Sequence, residues 1–84
     1  MPDPGSPEVR LVALRLGVDL TRREEQVLRL VIRGATNKEI AAAIGVSPRT
    51  AKFHVSNLLH KFGVERRTDL MLVWVSSQHI SGQP

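Results

Sequence analysis

Helix starts and stops follow one another so densely between Thr21 and Gly63 that few architectures remain open to this chain. Thr21 followed by Glu24 forms a capping box, in which each side chain satisfies an orphan backbone N–H of the other residue. Val27, Leu28, Leu30 and Val31 then recur at helical spacing, and Gly34 supplies the stop. A second box, Thr36 with Glu39, opens a short helix that turns Ile40, Ala41 and Ile44 inward and ends at Gly45. Ser47-Pro48 opens the next helix, with serine at the N-cap and proline at the first helical position. It runs to Phe62, with Gly63 beyond, and a last helix is expected over 67–78.

Upstream the signals are weaker. Met1 to Pro7 contains Pro2, Pro4, Gly5 and Pro7 and reads as a disordered lead-in. Ser6-Pro7 can cap a short helix with Val9, Val12, Ala13 and Leu16 on one face and Gly17 as its stop. Val12, Leu14, Leu16, Val18 and Leu20 also alternate as a strand would, but no partner strand is evident elsewhere. The expected fold is therefore all-α. A four-helix domain with a helix-turn-helix occupies 20–78, after a partly disordered, partly helical N-terminal extension (1–19) and before a short C-terminal tail (79–84).

Composition removes several function classes. The 84 residues suffice for one small domain. The absence of cysteine excludes a disulfide framework, a thiolate metal site and a cysteine nucleophile. No apolar stretch approaches the ~18 residues needed to span a bilayer. Met1 to Pro7 lacks the basic and apolar regions of a secretion signal, so a cytoplasmic location is expected. The net charge is +4, and its placement says more than its size. Between Glu39 and Glu65 there is no acidic residue, while Arg49, Lys52 and Lys61 fall inside that gap. A segment cleared of carboxylates suits a polyanion, although a solvated basic face would look the same at this level.

From Asn37 to Phe62 the pattern is short helix, glycine turn, long helix. Ala41 is small where two crossing helices must approach, Gly45 can take positive φ, and Val46 can plug the core. Along 48–62, at about 100° per residue, Ala51, Val55, Leu58 and Phe62 cluster on one side and form the buried stripe. Arg49, Phe53, Ser56 and His60 lie opposite, with Lys52 and Asn57 at the flanks. Such a helix, ~22 Å long at 1.5 Å per residue, can enter the major groove with its N-terminal residues at the base edges.

Three blocks carry a resemblance to a known family: Leu20-Thr21-Arg22-Arg23-Glu24, Gly34-Ala35-Thr36-Asn37-Lys38-Glu39-Ile40-Ala41 and Ser47-Pro48-Arg49-Thr50-Ala51-Lys52-Phe53-His54. Together they resemble the LuxR-type (NarL/FixJ/GerE) DNA-binding domain over about Leu20 to Val75. The resemblance implies a bacterial transcription regulator whose helix over 48–62 reads the major groove of double-stranded DNA. It also implies that the last helix pairs two copies on DNA. Base contacts are then implied for Lys52, Phe53, Ser56 and Arg49, and backbone phosphate contacts for Asn37, Lys38, Ser47, Thr50 and Lys61. Ala51 stands where relatives usually have valine, and Phe53 is a large apolar group at a groove-facing position.

Phe53 has two readings: contact with a thymine methyl, or packing against the N-terminal segment. His54 and His60 are six residues apart on the helix, about 120° around it, which does not suit a shared metal. His54 is expected to be structural, and neither a metal nor a cofactor is expected. Leu70 to Val75 is apolar all round, so one helix face cannot bury it. Homodimerisation through Leu70, Val73 and Trp74 is the expectation, with cover by the N-terminal segment as the alternative. No acid–base pair, activated nucleophile or phosphate loop points to an enzyme. A sigma-factor-like promoter reader that engages RNA polymerase, and an interaction module without DNA binding, remain as other readings of the same helices.

Overall fold

The computed structural model describes residues 7–81 and consists there of five helices without a strand. They are α1 (Pro7–Arg15), α2 (Arg22–Ile32), α3 (Asn37–Ile44), α4 (Pro48–Phe62) and α5 (Arg67–Ser81). Both capping boxes form. Glu24 N donates to Thr21 Oγ1 at 3.1 Å and Thr21 N to Glu24 Oε1 at 2.8 Å. Thr36 and Glu39 repeat this at 3.1 and 2.8 Å. At α4 the Ser47 hydroxyl accepts from Thr50 N at 3.1 Å, with Pro48 at the first helical position.

The first four helices end in one way. After each comes a glycine and then an apolar residue, whose N–H reaches five residues back. These bonds are Val18 to Ala13 O (2.9 Å), Ala35 to Leu30 O (3.0 Å), Val46 to Ala41 O (3.0 Å) and Val64 to Leu59 O (3.0 Å). This is the Schellman closure, which satisfies orphan carbonyls and turns an apolar side chain back onto the helix. Gly45 shows why glycine is needed, since its φ of 73° is left-handed backbone that a β-carbon disfavours. Val18 is buried, and Ala35, Val46 and Val64 pack against the core from its edge.

Val27, Leu28 and Val31 of α2 lie at the centre, covered by Ile40 and Ala41 of α3 and by Ala51, Val55 and Leu58 of α4. The α3–α4 pairing is the most extensive, as a helix-turn-helix requires. Small residues, Ala41 and Ala51, are buried where these two helices come together. Helices α1 and α5 also pack on α2 and touch each other, and α5 contacts α4 as well.

Two expectations change here. Val9, Val12 and Ala13 of α1 are buried as anticipated, but Leu16 is exposed because the helix has already ended at Arg15. More consequential, Leu70 and Trp74 of α5 are buried within one copy of the chain. The N-terminal segment contributes to the cover of α5, which packs against α1, α2 and α4. Of the three residues expected at a dimer interface, only Val73 is half-exposed. The outward side of α5 instead carries Leu72, 64% exposed, and Val75, 59% exposed.

Candidate nucleic-acid interface

The length of α4 is anchored by one stripe, Ala51, Val55 and Leu58, with Phe62 partly buried at its end. That anchoring decides what faces outward. Arg49, Lys52, Phe53, Ser56 and His60 are all exposed, and Asn57 is half-buried. The first turn holds no acidic residue, and its free N–H groups are the positive end of the helix dipole. Ser47 and Thr50 meet at this end, the Ser47 hydroxyl donating to Thr50 Oγ1 at 3.0 Å.

Phe53 is 62% exposed, and its ring centroid lies 6.1 Å from that of His54 at a tilt of 59°. Packing against the N-terminal helix is ruled out among the described residues, because α1 contacts α2 and α5 and not α4. An aromatic ring left in water forgoes about 1.5–3 kcal/mol of burial. That makes it available to an apolar group brought by a partner.

Three basic side chains hold the frame together. Arg23 Nη1 donates to the carbonyl of Ile44 at 3.1 Å, which caps the end of α3 just before the Gly45 turn. Lys61 Nζ donates to Glu24 Oε1 at 2.7 Å and to the carbonyl of Asp19 at 2.9 Å, tying the end of α4 to the start of α2. Arg67, at the first residue of α5, donates to Asn37 Oδ1 and to the carbonyl of Ala35. Arg23 and Arg67 carry no local sequence signal, since their partners stand 21 and 30–32 residues away.

Lys61, expected at the phosphate backbone, is thus tied to the start of α2 while its side chain stays 36% exposed. It stands nine residues from Lys52, about half a turn round the helix at 100° per residue, and two of its three N–H donors are engaged by Glu24 and Asp19. Asn37 is half-buried with its oxygen engaged, while Lys38 beside it is exposed.

Burial raises the pKa of Glu24, but the Lys61 hydrogen bond, the Thr21 backbone N–H and the Lys61 charge outweigh it and leave the pKa below its ordinary value. A lowered carboxylate pKa stabilises the fold above the unfolded-state pKa. That contribution is lost as the pH falls below 4.5 and through the folded-state value. Glu24→Gln can still close the capping box, so the variant isolates the charge. We expect wild type to melt higher than Glu24→Gln at neutral pH, with the gap closing on acidification. Melting curves at matched pH check this, and a gap independent of pH would refute it.

Among the described residues no group of three His, Asp or Glu side chains could hold a metal ion. No described helix is long and apolar enough to cross a membrane.

Comparison with known proteins places the geometry in context. Residues 18–74 match the family model GerE, bacterial regulatory proteins of the luxR family. The uncharacterized transcriptional regulatory protein YhcZ of Bacillus subtilis is 55% identical over 53 residues, which cover 63% of this chain and 25% of that protein. The transcriptional regulatory protein UhpA of Salmonella typhimurium is 47% identical over 51 residues, 61% of this chain and 26% of its own length. The response regulator protein VraR of Staphylococcus aureus is 43% identical over 53 residues, 63% of this chain and 25% of its own. The matched stretch thus spans about a quarter of these curated relatives. No solved structure matches. Helix α1 lies outside the matched segment.

Proposed function

Because the chain belongs to the luxR family of bacterial regulatory proteins, DNA-binding regulators of transcription, we propose that α4 enters the major groove and reads base edges with Arg49, Lys52, Phe53 and Ser56. One observation carries this reading. The single face of α4 left open by its core stripe combines two cations, a hydroxyl and an unburied aromatic ring. Cations and hydroxyls recognise guanine and other base edges, and an aromatic ring can meet the thymine methyl. Asn37, Lys38, Ser47 and Thr50 surround the N-terminal ends of α3 and α4 and supply the phosphate contacts that set the docking angle. Residues 20–78 form the DNA-reading unit, acting in the cytoplasm on promoter DNA and hence alongside RNA polymerase.

The unit binds as a dimer on paired half-sites. Support comes from the outward side of α5, where Leu72 and Val75 are exposed and Val73 is half-exposed. Selection of preferred sites from a random duplex pool tests the whole reading at once. Enriched sequences with two symmetric half-sites are the expected result, and no enrichment over the input pool would refute sequence reading. Run in parallel, Phe53→Ala is expected to lose preference for thymine at one position per half-site. Its melting temperature should stay within the range of an exposed substitution, about 0.5 kcal/mol of stability. An unaltered preference would remove Phe53 from the reading set.

A further inference from the structure

Arg67 is an odd residue for its place. It opens α5 and faces the opening turn of α3, so its charge stands near the positive ends of two helices. What holds it there is its pair of acceptors, Asn37 Oδ1 and the carbonyl of Ala35. A guanidinium has donors only, so the atom of Asn37 that meets it must be the oxygen. The amide of Asn37 is thereby fixed. Its NH2 group is the end turned away from Arg67, at the first residue of α3 and beside the exposed Lys38.

We infer that Arg67 is a positioning residue for DNA binding: it holds the Asn37 carboxamide with its oxygen inward and its two N–H donors toward the phosphate backbone. Without it the amide is free to rotate and to present its oxygen, an acceptor, to a phosphate that can only accept. The second bond, to Ala35, fixes the turn between α2 and α3, so the whole start of α3 is registered against α5. The orientation of a DNA-contacting side chain is thus set from the helix that carries the exposed Leu72 and Val75. This inference rests on the reading that the first turn of α3 meets the DNA backbone.

A charge-conserving cycle tests it. Arg67→Lys keeps the positive charge, and so the general attraction to DNA, but loses the fork that binds two acceptors at once. Affinity for one selected duplex is measured at fixed salt for wild type, Arg67→Lys, Asn37→Ala and the double variant, each confirmed folded by circular dichroism. Asn37→Ala is expected to weaken binding about tenfold and Arg67→Lys about fivefold, with Arg67→Lys having no further effect once Asn37 is alanine. Equal losses from Arg67→Lys in both backgrounds, or no loss in either, would overturn the proposal.

Should lysine at 67 loosen the fold, Asn37→Asp keeps the test. It retains an acceptor for Arg67, replaces the two donors with an oxygen and adds a negative charge that a phosphate at that place would repel. Melting at or above the wild-type temperature with at least a tenfold loss of affinity is then expected, and wild-type affinity overturns the proposal. If the wild-type chain itself binds no duplex at low salt, the DNA-binding reading fails and this inference falls with it. If wild type binds and the cycle is additive, only the role of Arg67 is lost.

Discussion

Trp74→Ala is expected to unfold most of the domain at temperatures where wild type is fully folded. The indole is 4% exposed, one turn from the fully buried Leu70 on a helix that packs against α1, α2 and α4. Truncating a buried tryptophan costs about 3–5 kcal/mol, through lost burial and the cavity left behind. A domain of this size has a total stability of roughly 4–13 kcal/mol, at 0.05–0.15 kcal/mol per residue. At about 4–8 °C per kcal/mol the melting temperature should fall by roughly 12–40 °C. Leu72→Ala and Val75→Ala are the contrast, since both side chains face outward and each should change stability by less than about 0.5 kcal/mol. Thermal denaturation followed by circular dichroism distinguishes the cases. A Trp74→Ala variant that melts like wild type and loses only self-association would return this residue to a dimer interface.

Lys52→Ala should weaken binding to a selected duplex by about ten- to a hundredfold, the range for losing one good base contact. Stability should hardly change, because the side chain is exposed and makes none of the cross-helix bonds made by Arg23, Lys61 and Arg67. Salt dependence separates two ways of losing that affinity. If the ammonium neutralises a phosphate, the slope of log affinity against log salt falls by nearly one. If it reads a base edge, the loss is concentrated on the preferred sequence and the affinity gap to random duplex narrows. Unchanged affinity for the selected site would exclude Lys52 from the interface.

The contrast between Lys52 and Lys61 shows how far a linear pattern reaches. Both lie on α4 in the stretch without acidic residues, and charge alone cannot separate them. Helical phase places them on opposite flanks, but the partner that claims Lys61 is Glu24, 37 residues earlier. The helix boundaries, by contrast, were all legible between Thr21 and Gly63. Capping boxes and glycine–apolar stops are closed by residues three to five positions apart, so no distant part of the chain is needed to complete them. The buried stripe of α4 was legible for the same reason, since 100° per residue is a local rule.

The apolar run from Leu70 to Val75 was legible only as a problem. Its composition says that more than one side must be covered, and both a second copy and an earlier segment of the same chain satisfy that. Packing of α5 against α1, α2 and α4 buries Leu70 and Trp74 within one copy and leaves Leu72 and Val75 exposed. Arg23 and Arg67 belong with this class. Each finishes a hydrogen bond to a carbonyl far away in sequence, and nothing beside them announces it.

The sequence by itself thus determined the punctuation of this protein: the capped starts of α2, α3 and α4, the glycine turn at Gly45, and the face that α4 keeps for the core. Those features are settled by interactions within one or two helical turns. Tertiary structure alone decided which cations are tied to distant helices, and that Leu72 and Val75 of α5 stay exposed while Leu70 and Trp74 are buried. Both questions turn on which distant groups come into contact, and that depends on how all five helices pack together.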